Sequence, residues 1–374
     1  MFLLCSHRLL VWGMTNACFP PVGGGARGRG AKSNESGRFE AFTKHGFADG
    51  WDREDDDPPQ LKTELQVEKA RKIITHNDSP DIGFNSSINP YRGCEHGCIY
   101  CFARPSHAYM GLSPGVDFET KLFFKPEGAR LLEKELSHPG YHCERIQLGA
   151  NTDPYQPIER KLLITREILK VLAKFKNPVT ITTKNALVAR DADILGPMGQ
   201  ANLAMVSISI TTLDRKLARA MEPRASTPEK RLWALRQLAD AGVPVMVGFA
   251  PVIPGLNDHE MEEVLERAAE AGARHAHYVA IRLPWEIKDL FREWLEAERP
   301  DRARRVMSLI RQMRGGRDYD AAWGKRATGE GPVAAVISRR FQLAKARFGL
   351  DRPYDKLDVT QFRRTAGGSQ LELF

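Results

Sequence analysis

Three of the six cysteines crowd into one short stretch, Cys94-Glu-His-Gly-Cys98-Ile-Tyr-Cys101. Thiolates are soft ligands suited to iron–sulfur clusters or zinc. Three on one tight loop satisfy three irons of a cubane and leave the fourth iron open to a chelating small molecule. Zinc is the competing reading. A structural zinc site takes four ligands, usually as two separated pairs, and here the second pair is missing. His96 or His107 would have to supply a fourth ligand. The remaining cysteines, Cys5, Cys18 and Cys143, show no pairing pattern. That composition does not read as a secreted disulfide scaffold, and a reducing, cytoplasmic compartment is expected.

Such a loop needs a frame, and the pattern from about residue 80 supplies one. Residues 87–91 read as a strand just before the first cysteine. Five more strands are expected at 146–149, 179–183, 203–210, 243–252 and 277–281. Amphipathic helices are expected between them at 160–175, 186–195, 227–241 and 258–271, with Pro284 opening the next. Strand and helix alternating in this way predict right-handed βαβ units and a parallel sheet. Six strands fall short of the eight in a closed barrel. On the fourth strand Ser207 and Ser209 alternate with Ile208 and Ile210, so both serines share one face, the barrel interior.

The flanks are less patterned. Residues 1–60 read as a disordered tail, 75–300 as the barrel, 301–350 as a helical extension and 351–374 as an irregular tail. Met1 to Trp12 faintly resembles a signal peptide but lacks a clean cleavage site, and Met14 offers a more ordinary start. The chain lacks the run of about 18 apolar residues that a spanning helix needs, so no membrane role is expected. The net charge of +8 and pI of 9.2 suit a polyanionic partner such as nucleic acid. Arg27-Gly-Arg-Gly is a candidate contact for a phosphate backbone.

CxxxCxΦC after a first strand resembles the radical S-adenosylmethionine superfamily. The longer run Asn89-Pro-Tyr-Arg-Gly-Cys94 through Arg104-Pro105 is similar to its spore photoproduct lyase-like, or DNA repair photolyase-like, subgroup. Thr152-Asp-Pro-Tyr-Gln-Pro157, Glu222-Pro-Arg224 and Ala250-Pro-Val-Ile-Pro-Gly-Leu-Asn257 agree with that likeness.

The resemblance implies a partial (β/α)6 barrel, TIM-like and of the radical SAM type. It implies a [4Fe–4S] cluster on Cys94, Cys98 and Cys101, and S-adenosyl-L-methionine cleaved there to a 5′-deoxyadenosyl radical. It also implies cofactor contacts. Tyr100 and the segment Val252 to Pro254 would pack near adenine. Asn151, Thr152 and Asp153 would meet the methionine amino group, Lys184 and Arg224 its carboxylate, and Ser207 and Ser209 the ribose. An electron donor such as flavodoxin or ferredoxin follows from the same likeness. One departure stands out. Spore photoproduct lyases carry a hydrogen-donating cysteine just before the matching Asp segment, where this chain has Ala150-Asn151. Thymine-dimer reversal by that route is therefore not carried over. Cys143 reads as a small buried hydrophobe, and Tyr155, Gln156 and Glu159 are candidates for aiming the radical.

The chain ends Gln370-Leu-Glu-Leu-Phe374. This is similar to the pentapeptide that docks bacterial proteins on the DNA sliding clamp, with Gln370, Leu371, Leu373 and Phe374 as the contacts. A nucleic-acid substrate, damaged DNA included, is the leading expectation. A radical enzyme on a small molecule, peptide or RNA is the second. A zinc-containing, non-catalytic nucleic-acid-binding protein is the third.

Overall fold

The computed structural model describes residues 28–40, 61–352 and 356–364. Its strands are β1 Glu64–Val67, β2 Ile74–His76, β3 Ser86–Ile88, β4 Tyr91–Arg92, β5 Lys121–Phe124, β6 Ile146–Leu148, β7 Val179–Thr183, β8 Ala204–Ser209, β9 Val245–Val252 and β10 His275–Ala280. Seven form one sheet in the order β10-β9-β8-β7-β6-β3-β2. The six strands from β3 to β10 in that sheet pair in parallel, as the six expected strands do, and β2 adds an antiparallel edge. This is the partial (β/α)6 barrel.

The strands are apolar and β-branched because helices cover one face and the barrel interior lies on the other. Val179-Thr-Ile-Thr-Thr pairs with β6 on one side and β8 on the other. Between β6 and β7 runs the helix Ile164–Phe175, which buries Ile164, Ile168, Leu169, Leu172 and Phe175. Its apolar residues recur every three or four positions, so one stripe faces the sheet. The helix expected at 227–241 runs Pro228–Asp240. Thr227 caps its start by accepting from the Lys230 amide at 3.4 Å, and Pro228 occupies the first turn.

Three regions differ from the expectation or add to it. Residues 28–40 are not a loose tail: Gly30 and Ala31 are buried against the segment that follows the cysteine loop. Residues 301–350 form the expected helical extension, and it packs into the barrel core. The helix Gly331–Arg347 puts Ile337, Phe341 and Ala344 into the main core, with Phe341 against Tyr278 of β10. It thus covers the last strand as the other helices cover theirs. A small sheet, β1-β5-β4, was not foreseen at all. Its strands are two to four residues long, too short for a periodic signal. No helix among the described residues is long and apolar enough to cross a membrane.

Candidate active site

The cysteine loop leaves β4 and returns toward β5. Two tight turns shape it, from the Gly97 amide to the Cys94 carbonyl at 3.3 Å and from the Cys101 amide to the Cys98 carbonyl at 3.2 Å. Gly97 sits at φ +68, and a Cβ there would press on Arg29 Cβ and the Glu119 carboxylate. Only glycine takes that conformation and that closeness without strain.

A buried ion pair fastens the loop from behind. Arg104 is fully buried and donates to the Cys98 carbonyl at 2.9 Å, to the Gly97 carbonyl at 3.0 Å and to the Glu119 carboxylate. Glu119 in turn accepts the amides of Arg29 at 2.5 Å, Gly30 at 3.0 Å and Ala31 at 2.8 Å. The candidate phosphate-binding arginine is therefore committed inward. Arg29 also donates to Thr63 Oγ1 at 2.6 Å and lies 3.8 Å from Glu95. Arg27 lies outside the described residues, as do Gln370, Leu371, Leu373 and Phe374 of the tail.

Cys94, Cys98 and Cys101 are free thiols. All three line one cavity of about 340 Å³ at the C-terminal ends of the strands. Burial pushes all three thiols up, with neighbouring acidic groups adding to the rise at Cys94 and Cys98. Among the described residues no three His, Cys, Asp or Glu side chains close round a single metal ion. A cubane does not require that, since each thiolate takes a different iron. Three unpaired thiols facing one cavity, two buried and Cys101 half-buried, fit such a cluster. Zinc lacks a fourth ligand there, because His96 already has partners and His107 does not line the cavity. His96 stands 3.3 Å from Asp153 and 3.2 Å from Asn185, and His107 points Nε2 at the Lys121 carbonyl, 2.9 Å away.

Tyr100, Asn151, Thr152, Asp153, Lys184 and Ser209 line the same cavity. Several already have partners. Thr152 donates to the Tyr91 carbonyl at 2.7 Å. Asp153 accepts from Thr183 Oγ1 at 2.7 Å and from the Lys184 amide at 2.8 Å, so it braces the ends of β6 and β7. Burial opposes its charge, but His96 and these donors hold its carboxyl below the usual range. Lys184 Nζ reaches the Ala250 carbonyl at 2.9 Å and lies 5.5 Å from the centre of the Tyr100 ring. The Tyr100 hydroxyl donates to Glu222. Burial works against ionised Glu222, yet Arg231 and Lys184 hold its carboxyl well below the ordinary range. Lys184 Nζ is 3.4 Å from Glu222, a carboxylate it shares with Arg231.

Three expected contacts fall elsewhere. Ser207 faces a second chamber, because it lies one full pleat repeat deeper along β8 than Ser209. Arg224 pairs with Glu95 at 2.7 Å and does not border the cavity. Pro254 follows the end of β9 in a turn that Asn257 ties by accepting the Ile253 amide at 2.7 Å. Ala250 and Pro251 take that wall instead. Tyr155, Gln156 and Glu159 are fully buried outside the cavity, in bonds to Asp191, to Gly93 and the Glu95 amide, and to Tyr91. Sequence reasoning missed Arg104, Glu119, Gln147, His277 and Arg282. Arg104 ends the cysteine motif without its role being read there, and the other four sit in no distinctive motif, so the fold alone brings them to the site.

A model of the Radical SAM superfamily matches residues 88–268. An uncharacterized protein of Mycobacterium tuberculosis is 35% identical over 231 residues, 61% of this chain and 68% of that protein. One from Methanocaldococcus jannaschii is 30% identical over 204 residues, 53% of this chain and 71% of that protein. Among solved structures, a spore photoproduct lyase mutant with bound AdoMet and dinucleoside spore photoproduct superposes with a TM-score of 0.53. Its identity is 15%, covering 76% of this chain and 78% of that one. Another mutant of that lyase gives 0.52 at 16% identity. The fold is thus that of spore photoproduct lyase. With the matching family model and the three thiols on the expected loop, this chain belongs to the radical SAM superfamily, whose cofactors are a [4Fe–4S] cluster and S-adenosylmethionine.

Proposed function

We propose that this chain reductively cleaves S-adenosylmethionine at a cluster held by Cys94, Cys98 and Cys101 and turns the radical on a nucleic acid. The observation that carries this reading is the shared cavity. The three thiols and the polar ends of β6, β7 and β8 face the same space. The cluster and S-adenosylmethionine together supply a 5′-deoxyadenosyl radical, and the protein's part is to bind, orient and shield.

In this reading Asn151 and Thr152, at the end of β6, meet the amino group of the cofactor. Lys184 attracts its carboxylate, because Glu222 is shared between Lys184 and Arg231 and leaves positive charge for a second anion. Ser209 takes a ribose hydroxyl, and Tyr100, anchored through its hydroxyl, offers its ring. Buried Phe118, Leu283 and Ile287 lie in the packing round the loop and limit water.

Three features favour a nucleic acid: the likeness to a lyase whose solved form holds a dinucleoside photoproduct, the net charge of +8 and the clamp-like tail. A damaged base in DNA, exposed by flipping, is the specific form of that reading. The reaction differs from cysteine-dependent dimer reversal. Ala150 stands where the donor would be, and Cys143 leaves the cavity to contact Asn177 at 3.5 Å. A cytoplasmic setting with a flavodoxin- or ferredoxin-type donor completes the proposal.

The test is anaerobic turnover of the reconstituted protein with labelled single- and double-stranded nucleic acids. Label passing from one of them into 5′-deoxyadenosine supports the reading. Robust cofactor cleavage with transfer from none of them would retire the nucleic-acid substrate in favour of a small molecule or peptide.

A further inference from the structure

The cavity that the thiols line adjoins a second chamber of about 500 Å³. The two share Gln147, Thr182, His277 and Arg282 as walls, among others. The second chamber reaches the deeper parts of the strands, through Thr180, Met205, Ser207 and Met246. Loops from the two ends of the sheet close its side. Asp81 accepts from the Gly324 amide at 2.6 Å and from Arg326 Nε at 2.7 Å, and the Ala280 amide donates to the Ala327 carbonyl at 2.8 Å.

Two polar atoms buried in these walls have no partner, Ser207 Oγ and Arg282 Nε. Ser207 is 7% exposed. Native interiors rarely leave such groups unpaired, and a bound ligand is one standard reason when they do. The neighbours do not compete for them. Gln147 spends its oxygen on Thr180 at 2.6 Å and its nitrogen on Thr182 at 3.1 Å. Gly248 of β9 keeps the space open: a Cβ there would lie 2.9 Å from the His277 ring and 3.6 Å from Ser207 Oγ.

The lining suits a particular chemistry. Phe84, Met205 and Met246 offer flat or polarisable apolar surface. Ser207 and His277 offer hydrogen bonds along the wall. Arg145, Arg282 and Arg326 against the single carboxylate of Asp81 leave the chamber cationic. Its volume lies within the roughly 300–1,000 Å³ of small-ligand sites. A flat heterocycle carrying an anionic group meets all three demands, and nothing in the cofactor reading uses this space.

We propose that the second chamber binds one nucleotide unit, with Ser207 Oγ on the base and Arg282 Nε on the phosphate. This rests on the nucleic-acid reading and names the part of the substrate that enters. The unit comes from a strand or as a free mononucleotide, and the probes separate the two.

Equilibrium dialysis under nitrogen, with the cluster-loaded full chain and S-adenosylmethionine present, uses the four deoxynucleoside 5′-monophosphates, the matching nucleosides and a short oligonucleotide. Saturable binding of at least one monophosphate is expected. Arg282→Gln should weaken the monophosphate at least tenfold and leave its nucleoside within about twofold. Ser207→Ala should weaken both by a similar, smaller factor while the fold stays intact by circular dichroism. Binding of the oligonucleotide with the same response to both variants would assign the unit to a strand. Binding of the monophosphate with no oligonucleotide binding would assign a free nucleotide to the same chamber. Two results overturn the assignment. One is that both variants weaken S-adenosylmethionine and leave nucleotides untouched. The other is that no monophosphate binds although a nucleic acid still yields labelled 5′-deoxyadenosine, which spares the nucleic-acid reading. Failure of both binding and label transfer sinks the two together.

Discussion

The Arg104–Glu119 network behind the cysteine loop and the wall of the second chamber are built on opposite plans. Behind the loop, the Arg104 guanidinium is matched by four carbonyls and a carboxylate. Glu119 is matched by three amides and that arginine. In the chamber Ser207 Oγ and Arg282 Nε have nothing. A satisfied buried network locks one geometry, and breaking it strands a charge. An unsatisfied group costs stability until something binds. The Arg104–Glu119 network therefore suits a resident cofactor and the chamber wall a transient guest.

The contrast can be broken at its strongest point first. Replacing Cys94, Cys98 or Cys101 by alanine should abolish the visible charge-transfer absorption and the cleavage of S-adenosylmethionine together. A variant that keeps both would remove that cysteine from the ligand set.

Next comes the lock. Glu119→Ala leaves Arg104 buried without its counter-ion and should cost about 3–5 kcal/mol in chemical denaturation, with reduced iron per chain. A loss below about 1 kcal/mol would mean that Arg104 finds relief elsewhere.

Lys184→Met should weaken S-adenosylmethionine binding by roughly ten- to a hundredfold, the worth of one charge-assisted hydrogen bond. Anaerobic equilibrium dialysis measures it, and a change under about twofold would show that Glu222 already consumes that charge.

His277, on the wall shared by both chambers, gives a pH signature. Burial, with Lys184 and Lys345 adding to it, lowers this histidine from 6.5 to about 4. The folded chain keeps it neutral while the unfolded chain protonates near 6.5. Its contribution to stability is therefore present above about pH 6.5 and lost as pH falls toward 4, on the order of 3 kcal/mol in all. His277→Gln should flatten that part of the stability curve, and an unchanged slope would contradict the depressed value.

The smallest effect has the opposite sign. Ser207→Ala removes an orphan hydroxyl and should raise stability by about 1 kcal/mol in the absence of nucleotide. A loss of similar size would mean that the hydroxyl already has a partner.

Much of the frame was legible in the chain. β-branched runs at 179–183 and 203–210, separated by amphipathic stretches, carry the parallel sheet in their periodicity, and Thr227-Pro228 marks a helix start. The cysteine spacing points to the cluster loop because the chemistry needs its ligands close in sequence. What stayed hidden is set by contacts between distant segments. Glu119 meets Arg29 across 90 positions, and no local pattern announces such a pair. Ser207 and Ser209 share a parity, but which chamber each faces depends on how far along the strand the cavity reaches. Pro254 and Arg224 sit in motif-like stretches, and a turn and an ion pair with Glu95 carry them away from the cavity.

The most direct test of the account is anaerobic reconstitution with iron and sulfide, followed by reduction in the presence of S-adenosylmethionine. It predicts a four-iron complement per chain, an electron paramagnetic resonance signal that changes when S-adenosylmethionine is added, and formation of 5′-deoxyadenosine. A full cluster whose signal ignores S-adenosylmethionine and yields no 5′-deoxyadenosine would contradict it.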